Sequence, residues 1–156
     1  MKLLKMDKPS CLIYSAAMVL GCNPSEIILF LGTDGLVEWF PEAKGSKKFR
    51  GIHMQEIQDY AQSNQNSAFF PVDFNVALAP DPDTPHKCIM NEEQATERMV
   101  SYMRQYDGII TVSLSGVVQD HACAWNHKTQ RVLDPRGHIS LIDDYTIVQF
   151  WARVIV

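Results

Sequence analysis

His121-Ala-Cys-Ala-Trp-Asn-His-Lys-Thr-Gln-Arg-Val-Leu-Asp-Pro-Arg-Gly137 is the stretch on which the reading of this chain turns. Two β-rich runs flank a polar Asn126-His127-Lys128 break, which predicts an antiparallel hairpin. With residues 126–130 as its loop, residue 125 stands opposite 131 and residue 122 opposite 134. His121 and Asp134 then become neighbours at one end of the hairpin, where a carboxylate can orient an imidazole. Taken singly, His121 reads as a strand histidine and Asp134 as a turn residue before proline. Asp120 adjoins His121 but points to the opposite face and is a poor orienter. His121 and Cys123 share one strand face and could share a metal, yet the spacing nominates no third ligand, so neither metal nor other cofactor is expected.

Working outward, residues 109–114 predict a strand before the hairpin, and residues 153–156 a closing strand after it. Upstream, Asn91-Glu92-Glu93 opens a helix reaching to about residue 106, its acidic first turn suited to the helix dipole. Residues 69–77 read as a strand, 80–85 as a stiff Pro-rich loop, and 51–61 as a helix with apolar residues at helical spacing. The loop over 33–50 holds the chain's one basic cluster, Lys44, Lys47, Lys48 and Arg50, read as a solvated face. Asn23 as N-cap, Pro24 at the first helical position and Gly32 at the end define a further helix, whose Ile27–Leu31 run is expected to be buried. Residues 11–20 form the first helix, capped by Ser10 or Asp7 and ended by Gly21. The sum is one α+β domain over 1–156, helical to about 106 and sheet from about 107.

Composition bounds what such a domain does. At 156 residues the chain buries about 70% of its unfolded surface, enough for a core without staples. A net charge of −4 lacks the footprint of a nucleic-acid binder, so no nucleic-acid partner is expected. No run of 18 apolar residues predicts a membrane span, and no apolar stretch near Met1 predicts a signal peptide, so the expected location is cytoplasmic. Cys11, Cys22, Cys88 and Cys123 show no paired spacing and are expected as free thiols. His53, His86, His127 and His138 fall in turn or helix-start contexts and are expected to be exposed. The oligomeric state is not readable.

Cys11 alone would be a small core residue. Its place at a helix start, where unpaired amides and the dipole favour a thiolate, gives it a second reading beside His121 and Asp134. In the order Cys, His, Asp, the three residue types form a nucleophile, a base and an orienter.

These residues carry a resemblance. Residues 11–20, with Ser15-Ala16-Ala17-Met18, resemble the nucleophile helix of papain-like cysteine peptidases, most closely the bacteriocin-processing peptidases that cut after double-glycine leaders and their stand-alone relatives. Residues 26–35, 51–61, 121–125, 132–137 and 151–156 add short similarities. The resemblance implies a papain-like fold with Cys11 as nucleophile, His121 as general base and Asp134 as orienter, acting on a peptide or protein substrate. The family's oxyanion glutamine, six residues before the cysteine, is Lys5 here; Lys5 or Gln119 is the expected replacement donor. The implied function is hydrolysis of a peptide or isopeptide amide. The alternatives are a catalytically weak or inactive module of the same fold that binds a peptide or protein, and a thiol acyltransferase or deamidase.

Overall fold

The cap residues predict the first two helices closely. In the computed structural model, which describes residues 1–36, 51–73, 92–114 and 121–156, helix α1 spans Cys11–Leu20 and ends at Gly21 with φ 76°. Helix α2 spans Pro24–Leu31 behind an Asn23/Glu26 capping box and ends at Gly32, φ 69°. Ser10 stands at the α1 N-cap but makes no side-chain cap; its hydroxyl donates instead to the Asp34 carbonyl at 2.9 Å. Asp7, the other expected cap, accepts from the Tyr14 hydroxyl.

The expectation that the apolar run of α2 is buried is overturned. Only Ile27 is buried, while Leu29 is 84% and Phe30 45% exposed. A two-turn helix packed against α1 and α3 (Met54–Gln65) turns one face inward and leaves the other outside. Helix α3 begins three residues later and ends four residues later than the periodicity suggests. Glu56 receiving the His53 amide, 2.9 Å, fixes its start. Helix α4 spans Glu92–Met103.

Among the described residues, six strands form one antiparallel sheet in the order β1-β6-β2-β3-β4-β5. They are β1 Ser67–Asp73, β2 Gly108–Ser113, β3 His121–Asn126, β4 Arg131–Asp134, β5 His138–Ser140 and β6 Thr146–Ile155. The architecture is α+β, with two corrections to the expected division. Strand β1 comes from the half read as helical, and β6 is a ten-residue interior strand between β1 and β2 rather than a four-residue closing strand. Strand β5 was without a sequence signal of its own. The expected strand residues 74–77, the Pro-rich loop and the basic cluster lie outside the described residues.

Two apolar layers sandwich the sheet. On one face α1, with fully buried Ile13, Ala16 and Ala17, packs on Ile109, Ala122, Ala124 and Leu133. Alanines there let the helix backbone approach the strands closely. On the other, Ile110, Cys123, Trp125, Val132 and Phe150 pack with Met99 and Met103 of α4. No single helix among the described residues is long and apolar enough to cross a membrane.

Candidate active site

The hairpin register is where the site is decided. Strand β3 pairs with β4 as Asn126↔Arg131, Trp125↔Val132 and Ala124↔Leu133, so the loop is 127–130 and Cys123 falls opposite Asp134. The expected pairing of 122 with 134 is therefore off by one. The turn explains it: the Asn126 carboxamide oxygen accepts from the Lys128 and Thr129 amides at 3.0 and 3.2 Å, and Gln130 takes φ 53°. A one-residue shift moves a whole strand's side chains to the other face. The observed register puts Asp134 on the face of Cys123 and His121, where the expected one would have set it against Ala122.

Helix α1 brings the nucleophile candidate to the same place. Cys11 and Ser15 lie one turn apart on one helix face and both meet residue 122. The Ser15 hydroxyl donates to the Ala122 carbonyl at 2.9 Å, and the Ala122 amide donates to the Cys11 sulfur. Ser15 was not singled out in the sequence, although its spacing from Cys11 is a readable signal.

The structure thus joins Cys11, His121 and Asp134 in a hydrogen-bonded chain. His121 Nε2 meets Asp134 Oδ1 at 2.9 Å. A carboxylate only accepts, so this nitrogen carries the proton and leaves Nδ1 for the Cys11 sulfur. The His121 side chain is 5% exposed and that of Asp134 is 0% exposed. Burial raises the Cys11 pKa, but the His121 hydrogen bond and the Ala122 amide outweigh it, and the net shift is downward. Burial lowers that of His121, but its bonds to Cys11 and Asp134 outweigh it, and the net shift is upward. These directions are those of a thiolate–imidazolium pair.

Asp134 is more heavily bonded than any reading of it as a turn residue suggests. Its Oδ1 also accepts from the Arg136 amide at 2.8 Å and from Arg136 Nε at 3.1 Å. Its Oδ2 accepts from Arg136 Nε at 3.0 Å, Arg136 Nη2 at 2.6 Å and the Tyr145 hydroxyl at 2.9 Å. Burial pushes its pKa up, but Arg136, His121 and Tyr145 hold it well below the usual carboxylate range. Arg136 and Tyr145 went unremarked in the sequence; only the Asp-Pro-Arg spacing hints at the first.

His121, Cys123 and Asp134 present potential ligand atoms within 4.8 Å of one another, supplying the third group that spacing alone did not nominate. Both Asp134 oxygens are already occupied by donors, one of them a guanidinium, and burial pushes the Cys123 thiol far up. A cation there would have to displace Arg136 and deprotonate a resistant thiol, so the cluster is a poor metal centre.

Cys11 and His121 open onto a cleft of about 540 Å³ between the α1 and α3 starts and the sheet, with Ser10, Ile52, Gln149 and Trp151 among its walls. Since Ser10 is turned to Asp34, the start of α1 lines this cleft without a side-chain cap from Ser10. Lys5 is not brought to it, which corrects the expectation of an ammonium over Cys11. The Met6 amide bonds the Pro135 carbonyl at 2.7 Å and Leu4 packs on the core, so Lys5 is turned outward along Gly137 into a separate hollow shared with Tyr14 and Asn23. Gln119 lies outside the described residues.

No family model, curated protein or solved structure matches this chain. Among the other sequence candidates, Cys11, Cys22 and Cys123 are free thiols, and Cys88 lies outside the described residues with His86 and Asp120. His53 and His138 are exposed, whereas His127 is half-buried against Asp107 at 2.8 Å.

Proposed function

We propose that this protein is a thiol hydrolase of papain-like fold that cleaves a peptide or isopeptide amide through Cys11. The observation that carries the reading is the continuous hydrogen-bonded chain from a helix-start cysteine through His121 to a buried, ionised Asp134. The Cys11 thiolate attacks the carbonyl carbon, and the oxyanion develops against the uncapped amides at the α1 start. His121, held by Asp134, protonates the leaving amine, which departs as the C–N bond breaks. Water, giving its proton back to His121, then attacks the thioester, releases the acid and restores the thiolate.

The test is alkylation of Cys11 by iodoacetamide from pH 4 to 9, followed by mapping of the labelled peptides. A thiolate titrating below the ordinary cysteine range is expected. An activated ester should then give a burst of acylation that Cys11→Ala abolishes. Titration near 8.5 would remove the ion pair and the hydrolase reading with it.

One observation favours a second reading, a catalytically weak module that binds a peptide or protein partner in the same cleft. Lys5 is turned away, and losing one oxyanion donor slows acyl transfer by about 100- to 1,000-fold. Labelling at low pH without acylation or turnover would support this alternative.

A further inference from the structure

We infer that Arg136 is a positioning residue of this site: its guanidinium clamps Asp134 so that one carboxylate oxygen is fixed on His121, and through His121 it sets the proton affinity of Cys11. The inference rests on the proposed thiol chemistry but concerns a residue outside the Cys-His-Asp chain.

Arg136 makes four bonds to Asp134: its amide and Nε to Oδ1, and Nε and Nη2 to Oδ2. A planar fork matched to a carboxylate fixes its rotation as well as its charge. That matters because Oδ1 accepts from both Arg136 and His121. If the carboxylate turned about its own axis, the imidazole would lose its orienter and Nδ1 its aim at Cys11. The Tyr145 hydroxyl holds Oδ2 at 2.9 Å from the segment before β6, but it brings no charge. The clamp is built from outside the core: the Arg136 side chain is 40% exposed, whereas Asp134 is fully buried.

Other ionisable groups surround the chain without replacing Arg136. Cys123 of β3 faces Asp134 as a neutral thiol, and His138, paired with Asp134 across β5, is exposed. Lys5 lies along Gly137 rather than on Asp134. On the cleft side, Asp34 is bonded to Lys8 at 3.3 Å, and His53 stands at the start of α3. Among these, only Arg136 brings a cation against the Asp134 carboxylate.

Removing the fork takes from the carboxylate its fixed aim on His121, which weakens the ion pair. The Cys11 midpoint therefore moves up. Arg136→Lys keeps the charge and loses the fork; Arg136→Met loses both.

The experiment follows Cys11 alkylation by iodoacetamide against pH in the full chain, with labelled peptides mapped, alongside the thermal midpoint of each variant. For Arg136→Met we expect the alkylation midpoint to rise by one unit or more, slowing labelling at pH 6 about tenfold. Arg136→Lys should fall between it and the parent. Should Arg136→Met not fold, Arg136→Lys decides alone. A parent that titrates low together with an unmoved midpoint in the variants, whatever their thermal stability, overturns the role of Arg136 and leaves the hydrolase reading standing. A parent titrating near 8.5 overturns both.

Discussion

Asp134 stays ionised with no exposure at all because each of its oxygens accepts three hydrogen bonds and a guanidinium balances its charge. Removing one partner from a fully buried pair typically costs about 3–5 kcal/mol, and the 40% exposure of the Arg136 side chain brings the cost here below that range. Asp134→Asn keeps the volume but offers His121 either a weaker acceptor or a competing donor, and it leaves Arg136 facing a neutral amide. Acylation of Cys11 by an activated ester should fall by about 10²- to 10⁴-fold, the range for losing a properly oriented base. A burst rate equal to that of the parent, in a folded variant, would take Asp134 out of the mechanism. His121 and Cys11 were legible as residue types at suggestive places. The Arg136–Tyr145 clamp was not, because nothing in local sequence says which way a half-exposed arginine folds or that residue 145 returns to residue 134.

At the scale of elements, caps made α1 and α2 readable. Gly21, Asn23, Pro24 and Gly32 each satisfy or end a helix through contacts within a few residues, so their signals are local. The hairpin was readable as a hairpin but not in register, because a single side chain, Asn126, decides how many residues the turn holds. Strand β6 escaped recognition as an interior strand since its partners, β1 and β2, are distant in sequence. Gly108 marks how tightly that pairing closes. A Cβ at this position would collide with the Trp151 carbonyl oxygen and the Phe150 ring. Neither can yield without disturbing β6, so Gly108→Ala should lower stability by about 1–3 kcal/mol, the usual range for overpacking. Urea denaturation measures it, and a midpoint equal to the parent's would show that β2 and β6 can separate freely.

For the whole molecule, buried charge ties stability to pH. The folded-state pKa of Asp134 lies well below its unfolded value of about 3.9, so its contribution is complete above about pH 5. It is lost as the pH falls, because the unfolded chain takes up the proton that the folded one refuses. The urea midpoint should therefore drop between about pH 5 and pH 3. Asp134→Asn should start lower at pH 7 and fall less steeply across that window. Parallel curves for the two proteins would assign acid sensitivity to other carboxylates, such as Asp7 with its Tyr14 partner.

Sequence by itself determined the α+β class, the first two helices, the hairpin that holds His121 and Asp134, and the choice of Cys11 as the thiol to watch. All of these rest on contacts within a turn or a hairpin, where spacing along the chain stands in for distance. The tertiary structure alone decided that α1 seats residues 11 and 15 on residue 122, that Asp134 shares a face with His121, and that Lys5 is turned away from the cleft. It also decided that Arg136 and Tyr145 close on one carboxylate. Each of these depends on strand register or on packing between segments far apart in sequence, and a shift of one residue reverses the answer.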